Sequence, residues 1–240
     1  MILIKQADIL HKFELQKLLI AIIDDQFISQ NVYFKGGTCA EMSGFLDRFS
    51  IDLDFDIRKD IDKRIFRLHI DKIVTELDLT DQNKNIKSLF FNFKYRAPEN
   101  HRNTLKLSFY DDAAVSNSYE TRFLSEIDRA VECQTIETMF ANKLVAPIDR
   151  HNRHNKVVGR DIYDIHYFFS QGYKFKQEII EERTGLETGE YIKSLIVFID
   201  EKVTEKILKE DLNTLLPYEK FQKIRKVLKQ EVLMFLKSCF

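Results

Sequence analysis

The stretch at positions 50–57, SIDLDFDI, is the feature that most narrows what this chain can fold into. Apolar and acidic side chains alternate in it without a break. The apolar residues are Ile51, Leu53, Phe55 and Ile57, and the acids are Asp52, Asp54 and Asp56. A period of two is the period of a β-strand with one buried face. We therefore predict a strand that packs on an apolar core and presents its aspartates on the opposite face.

A glycine pair, Gly36 and Gly37, precedes this strand and follows the short strand candidate NVYF. Glycines at a strand-to-helix turn let the backbone approach a ligand closely, and the amides that begin the next helix are natural phosphate donors. That helix is predicted over TCAEMSGFL, with Thr38 as its cap. Each feature alone is typical of a plain turn or a solvated strand edge, but together they indicate a site for phosphates.

Two carboxylates spaced two residues apart on a strand lie on one face, within about 7 Å of each other. Such a pair suits one or two divalent cations, and Mg²⁺ commonly binds through one or two carboxylates together with substrate phosphates. A glycine turn beside an aspartate pair therefore indicates chemistry on a nucleoside triphosphate.

Periodicity elsewhere predicts an amphipathic helix, or two short ones, within 5–29 and a further helix over 60–79. The runs SLFFNFKYRA and TLKLSFYD, joined by PENHRN, predict an antiparallel hairpin in the same sheet. Strand signals fade after about residue 125. Helices are then predicted over 135–150, 161–170, 176–184, 190–208 and 218–237. The expected class is α+β, with a small mixed or antiparallel sheet and flanking helices in residues 1–125 and a helical domain in 126–240.

Composition limits where the protein can be located and what it can bind. The chain is 44% apolar and 31% charged, with a net charge of −1, so any binding of nucleic acid has to come from local patches. No apolar run approaches the ~18 residues that span a bilayer, and the N-terminal sequence lacks the pattern of a secretion signal. The three cysteines are far apart and predict reduced thiols. We expect a cytoplasmic protein without membrane contact.

A second cluster of charged residues lies in the C-terminal half. Lys143 and Arg150 are seven positions apart, about two helical turns, and project from one face if Pro147 does not break the helix. The segment RDIYD follows, with Arg160, Asp161 and Asp164. Asp164 has two equally good interpretations. It belongs to this charged cluster, or it stabilises the helix by an i,i+4 pair with Arg160.

The motifs KGGT and RFSIDLDF resemble the signature of the nucleotidyltransferase-like toxins of the AbiEii/AbiGii type, members of the DNA polymerase β-like nucleotidyltransferase superfamily. In that superfamily a glycine turn precedes an Asp-x-Asp strand, and here fourteen residues separate Gly37 from Asp52. The lysine and arginine of the K-x6-R pattern, followed by RDIYD, resemble a second motif of the same family. The resemblance implies a polymerase β-like core and a helical half that completes the nucleotide site.

The resemblance also implies roles for individual residues. Asp52 and Asp54 would hold Mg²⁺ or Mn²⁺, while Asp56 falls outside the matched pair and is expected to be a surface acid or a support behind the site. Asp161 would have a catalytic or orienting role. Contacts to the triphosphate are implied for Gly36, Gly37, Thr38, Arg48, Ser50, Lys143 and Arg150.

The activity so implied is transfer of a nucleoside monophosphate from an NTP to an acceptor hydroxyl, with loss of pyrophosphate. The acceptor would be RNA, such as a tRNA end, or a protein side chain. The protein would be the toxin of a toxin–antitoxin or abortive-infection system and would have a cognate antitoxin.

One part of the superfamily pattern is incomplete. A third carboxylate is expected on a neighbouring strand, and TLKLSFYDD offers Ser108 at that place, with Asp111 and Asp112 only at the strand's end. The general base is therefore Asp161, Asp111 or no protein group. Two other functions remain open, namely a catalytically weakened interaction protein on the same fold and a metal-dependent phosphodiesterase.

Overall fold

The structure is a computed structural model that describes residues 5–83 and 89–239, and these residues group into two compact units. The described residues up to 113, together with 119–134, form the sheet unit. Residues 114–118 and those from 135 onwards form the helical unit. The mixed α and β class predicted from the sequence is confirmed.

The sheet unit contains, among its described residues, a seven-stranded mixed sheet. The strands are β1 (Val32–Lys35), β2 (Asp52–Ile57), β3 (Thr80–Asp81), β4 (Phe90–Lys94), β5 (Thr104–Tyr110), β6 (Tyr119–Leu124) and β7 (Arg129–Gln134). Their order across the sheet is β3-β4-β5-β2-β1-β7-β6. Strand β2, which carries the aspartates, is therefore central, antiparallel to β1 on one side and parallel to β5 on the other.

The alternation of β2 is confirmed by burial. Leu53 and Phe55 are fully buried, and the ring of Phe55 stacks 5.3 Å from that of Phe109 on β5. Phe66 meets Phe109 edge to face at 4.8 Å between centroids. Each such side chain contributes about 2 kcal/mol of hydrophobic stabilisation. This core fixes the register of β2, and with it the face on which the aspartates lie.

Helices of the sheet unit cover that core. They are α1 (Gln6–Asp24), α2 (Gln26–Ser29), α3 (Gly36–Met42) and α4 (Lys63–Glu76). Phe66 belongs to α4, and the buried stripe of α1 includes Leu15, Leu18, Leu19 and Ile22. The predicted N-terminal helical segment is thus two helices, and the region predicted over 60–79 is helical in its middle part.

The predicted hairpin is confirmed, because β4 and β5 pair antiparallel in the same sheet as β2. Ser88, with which the predicted first strand begins, lies outside the described residues. The prediction that strands end by about residue 125 is wrong, since β7 pairs with both β6 and β1. Its sequence, RAVECQ, carries charges that hide the alternation, and its strand state depends on distant partners.

The helical unit contains the remaining helices of the described chain. They are α5 (Ile136–His154), α6 (Gly159–Ser170), α7 (Gln177–Thr184), α8 (Thr188–Lys202), α9 (Glu205–Leu212), α10 (Tyr218–Ile224) and α11 (Leu228–Lys237). The single helices predicted over 190–208 and 218–237 are each two helices. The first break occurs at Thr204, whose hydroxyl caps α9 by accepting a hydrogen bond from the Ile207 amide at 3.3 Å.

Candidate functional site

The glycine turn and the aspartate strand are in direct contact. Gly36, the first residue of α3, has φ = +78°, a conformation that favours glycine. A β-carbon added at this position would lie 2.8 Å from Oδ2 of Asp54 and 3.2 Å from its Cβ. Two separate constraints therefore require glycine at position 36, and the second is the Asp54 side chain itself. The structure thus brings together the two features that the sequence singled out.

The second glycine packs against the residues of the RFS motif. A β-carbon on Gly37 would lie 2.8 Å from the Ser50 hydroxyl and 2.9 Å from Nη2 of Arg48. Both side chains are buried, and the Arg48 guanidinium donates a hydrogen bond to the Phe49 carbonyl at 3.1 Å. A fixed positive charge and a hydroxyl therefore lie against the glycine turn, as an anion site requires.

Thr38 is the third residue of α3, so the prediction that it caps the helix is wrong. The cap position is Lys35, because the chain enters the helix directly from β1. Thr38 is buried, and its hydroxyl donates a hydrogen bond to the backbone carbonyl of Asp52. This bond ties α3 to the start of β2 and holds Asp52 beside the turn.

The aspartates of β2 differ in their surroundings. Asp52 and Asp54 are half-buried, whereas Asp56 is only 1% exposed. Its carboxylate accepts hydrogen bonds from Lys35 Nζ at 2.5 Å, from the Tyr119 hydroxyl at 3.0 Å and from Gln134 Nε2 at 2.6 Å. The interpretation of Asp56 as a surface acid is therefore wrong. It is an interior acid that joins β2 to β1, β6 and β7.

The charge of Asp56 is balanced by Lys35, a residue that the sequence analysis did not include among the site residues. Lys35 lies on the same face of β1 as Tyr33 and directly precedes the glycine pair, and this position could have indicated that it belongs to the site. Its Nζ also lies 4.1 Å from the centroid of the Tyr110 ring. Pairing it with Asp56 required the register of β1 against β2, which the sequence does not specify.

The family resemblance implies a divalent cation, and the donor atoms of this face fit one. Asp52 and Asp54 offer carboxylate oxygens, the ligands that Mg²⁺ prefers, and Mg²⁺ usually takes only one or two carboxylates and leaves other positions to phosphates and water. Within residues 5–83 and 89–239 there is no cluster of three or more His, Cys, Asp or Glu side chains able to hold a metal. The two aspartates thus suit an ion that a substrate helps to bind.

Strand β5 shows where the missing third acid would be. Ser108 is the neighbour of Asp54 in the parallel β2–β5 register, and Lys106 is the neighbour of Asp52. Paired residues of adjacent strands share a face, so Ser108 occupies the position next to the aspartates. Asp111, one residue past the end of β5, forms an ion pair with Lys63. The hydrogen bond from Lys63 lowers the pKa of Asp111.

In the helical unit, Lys143 and Arg150 meet the same carboxylate. Helix α5 continues through Pro147 to His154, so both basic groups project from one helix. Lys143 Nζ lies 3.0 Å from Asp161 and 2.9 Å from Asp164, and Arg150 Nε lies 3.2 Å from Asp161. Both aspartates, on α6, are buried. The predicted common face of Lys143 and Arg150 is confirmed, and Asp164 contacts the lysine.

The charges around Asp161 control its protonation. Burial pulls the pKa of the carboxyl upward, but the positive charges of Lys143, Arg150 and Arg160 outweigh burial and hold the pKa at about 2. The pKa in the folded protein is thus below its ordinary value of 3.8. The contribution of this carboxylate to stability is complete above about pH 4 and is lost as the pH falls through about 2.

Replacing Asp161 by asparagine should flatten the acid side of the stability profile. The free energy of unfolding of the native sequence should fall by about 2 kcal/mol more than that of Asp161→Asn between pH 5 and pH 2. Urea denaturation at a series of pH values measures this difference. Asp200→Asn, an exposed change on α8, is the control and should keep the native slope. Equal slopes for native protein and Asp161→Asn would contradict the assigned charge network.

Within the described part of the chain, every helix is too short or too polar to cross a membrane.

The family described as "Nucleotidyl transferase AbiEii toxin, Type IV TA system" matches residues 17–230. None of the curated proteins matches the chain.

Solved structures with a similar fold span nearly the whole chain. A Helicobacter pylori protein assigned to the nucleotidyltransferases is 20% identical, with a TM-score of 0.55 and 99% of each chain covered. JHP933, also from Helicobacter pylori, is 18% identical, with a TM-score of 0.52, 98% of this chain and 96% of its own covered. The nucleotidyltransferase toxin MenT4 of Mycobacterium tuberculosis is 16% identical, with a TM-score of 0.50, and the match covers 96% of this chain and 84% of MenT4. At these identities the likeness is one of fold.

Proposed function

The chain belongs to the nucleotidyl transferase AbiEii toxin family of type IV toxin–antitoxin systems, and we propose that it transfers a nucleoside monophosphate from an NTP to a hydroxyl of RNA. The single observation that carries the proposal is the close packing of Gly36 against Asp54. A β-carbon added at position 36 would lie 2.8 Å from the Asp54 carboxylate. A turn suited to phosphates and a carboxylate suited to a metal ion are thereby fixed against each other, as NTP chemistry requires.

Each residue around the turn has a physical role in this proposal. Asp52 and Asp54 would hold Mg²⁺ or Mn²⁺, which would neutralise phosphate charge and polarise phosphate oxygens. Gly36 and Gly37 expose their backbone to the triphosphate, and Arg48 adds positive charge next to the turn. The Thr38 hydroxyl holds Asp52 in place by donating a hydrogen bond to the backbone carbonyl of Asp52. Ser50 offers a hydroxyl beside Gly37.

We assign Lys143 to the nucleotide phosphates, with Arg150 as a second basic contact. The side chain of Lys143 is 18% exposed, and its ammonium group is held between two buried carboxylates. A side chain fixed in this way is pre-organised and loses little rotamer entropy when an anion binds. Of the catalytic or orienting role that the resemblance implies for Asp161, we accordingly propose the second, in which Asp161 and Asp164 are positioning residues that act through Lys143.

In the reaction, the acceptor hydroxyl oxygen attacks the α-phosphorus and forms a new phosphodiester bond. The bond from the α-phosphorus to the bridging oxygen breaks, and pyrophosphate carries away the electron pair. The two carboxylates considered as general base both have lowered pKa values, Asp161 through its cationic neighbours and Asp111 through Lys63. Carboxylates of low pKa are weak bases. We therefore propose that the hydroxyl proton leaves to solvent.

The biological setting follows from the family and remains part of the proposal. A type IV system pairs the toxin with an antitoxin. An NTP donor and an RNA acceptor, such as a tRNA end, meet in the cytoplasm, where we propose that the protein acts.

Labelled nucleotides test the reaction directly. Purified protein with Mg²⁺, total cell RNA and each of the four NTPs should deposit label from the α-phosphate, and none from the γ-phosphate, in RNA that separates on a denaturing gel. Transfer of γ-label would indicate phosphoryl transfer. RNA that shortens without NTP would indicate a phosphodiesterase, and α-label that enters protein would identify a protein acceptor. Absence of any transfer with all four NTPs would contradict the proposal and favour the catalytically weakened alternative.

A further inference from the structure

The outward face of β4 and β5 lies beside the aspartate pair and has a chemistry of its own. We call it the β4–β5 face, and its residues are Phe90, Asn92, Lys94, Lys106, Ser108 and Tyr110. The alternate residues of both strands are buried in the core, so these six point away from it. Ser108 and Tyr110 are half-buried, and the others are exposed.

The register shows how this face relates to the proposed catalytic residues. Ser108 pairs with Asp54 on one side and with Phe90 on the other, and Lys106 pairs with Asp52 and Asn92. Neighbouring strands are about 4.8 Å apart, so Phe90 lies about 10 Å from Asp54 across the sheet. The glycine turn follows β1, on the opposite side of β2. A donor with its phosphates on that turn leaves the β5 side of the aspartates to the acceptor.

The aromatic residues of the face suit a nucleobase. Phe90 is 48% exposed, and its ring meets that of Tyr110 edge to face at 5.3 Å between centroids. The Tyr110 ring is also in contact with Lys35, whose Nζ lies 4.1 Å from the ring centroid. Aromatic side chains displayed on a sheet face are a common platform for unpaired bases, because every base has a face that stacks.

The charges of the face suit a phosphate backbone. Lys94 and Lys106 are exposed, and none of the six residues named above is acidic. A chain with a net charge of −1 can attract a polyanion only through local patches of this kind. Exposed aromatic rings and lysines on one sheet face are typical of single-strand binding, whereas a protein partner would not require this combination.

We propose that the β4–β5 face binds the 3′ end of a single-stranded RNA acceptor, with its last bases stacked on Phe90 and Tyr110 and its terminal hydroxyl directed to Asp52 and Asp54. Lys94 and Lys106 contact its phosphates. This inference rests on the proposed function, because it assigns the acceptor of that reaction to a surface. It names Phe90 as the residue through which the acceptor is recognised.

The test compares two exposed phenylalanines of the same sheet. Phe90→Ala should raise the KM for an RNA acceptor about tenfold and leave the KM for NTP unchanged, because one stacking contact is lost. Phe123→Ala, a change to a 66% exposed residue of β6, is the matched control and should behave as the native protein. Phe90→Trp keeps a stacking ring and should restore the native KM. Thermal unfolding verifies that all three variants fold.

Binding without nucleotide separates this inference from the proposed function. The anisotropy of a 5′-fluorescein RNA of roughly ten nucleotides should report about tenfold weaker binding by Phe90→Ala than by Phe123→Ala. Lys106→Gln should weaken binding and lower its salt dependence by about one phosphate contact. Equal RNA binding and equal acceptor KM in Phe90→Ala and the native protein would overturn the inference, as would native transfer to protein alone. If no nucleotide is transferred at all, the proposed function fails, and the anisotropy measurement still decides this inference.

Discussion

Asp54→Asn is expected to lower the rate of nucleotidyl transfer by about a thousandfold, which corresponds to ~4 kcal/mol of lost transition-state stabilisation. The amide keeps the size of the side chain but loses the negative charge that the proposed metal ion requires. Because Asp54 is half-buried, the variant should fold as the native chain does. Transfer of α-label under saturating NTP measures the rate, and growth arrest on expression in bacteria should vanish with it.

Two other aspartates make this result specific. Asp60→Asn removes an exposed negative charge shortly after β2 and should leave the rate unchanged. Asp56→Asn should instead lower the free energy of unfolding by about 3 kcal/mol, because it leaves the charge of Lys35 without its buried partner. A native rate in Asp54→Asn, or an equal loss of rate in Asp60→Asn, would contradict the assignment of Asp54.

Gly36→Ala is expected to lower the rate at least about a hundredfold, because the new methyl group would lie 2.8 Å from Oδ2 of Asp54 and has to displace it. Misplacement of a catalytic group by about 1 Å costs about two orders of magnitude in rate. The left-handed backbone at φ = +78° adds about 1–2 kcal/mol of strain to the folded state. Kinetics and urea denaturation measure the two effects separately.

Gly44 is the matched control for this substitution. It lies two residues after α3 and has φ = +76°, but a β-carbon there would meet nothing within 4 Å. Gly44→Ala should therefore carry the same backbone strain and keep the native rate. If Gly44→Ala loses as much activity as Gly36→Ala, strain in the turn and not the contact with Asp54 explains the loss.

The sequence predicts those features of the site that depend on residues close together in the chain. Strict alternation identified β2 and its two faces, since a period of two has one structural meaning over eight residues. The glycine pair identified the turn, because few other residues adopt its conformation. Local pattern thus placed the turn beside the aspartate strand, whereas the direct contact between Gly36 and Asp54 depends on the register of β1 against β2.

The part that the sequence does not predict depends on pairing between distant segments. That Lys35 neutralises Asp56 and that β7 pairs with β1 are matters of register and strand order. The same holds for Lys143, whose spacing from Arg150 was readable but whose position between two buried carboxylates was not. For Thr38, local preference predicted the wrong role. Threonine is a common helix cap, but the Thr38 hydroxyl instead donates a hydrogen bond to the backbone of Asp52 on β2.

The hydrogen bonds of Asp56 also bear on when the site becomes ordered during folding. They join residues 63 and 78 positions apart in the chain, since Tyr119 and Gln134 come from the last two strands of the sheet unit. Closing loops of that length is entropically costly and occurs late compared with local helix formation. During synthesis, β2 is made long before the groups that satisfy its interior carboxylate. A growing chain thus acquires the turn and its aspartates early, but the sheet that holds them in place is completed only when β7 is added.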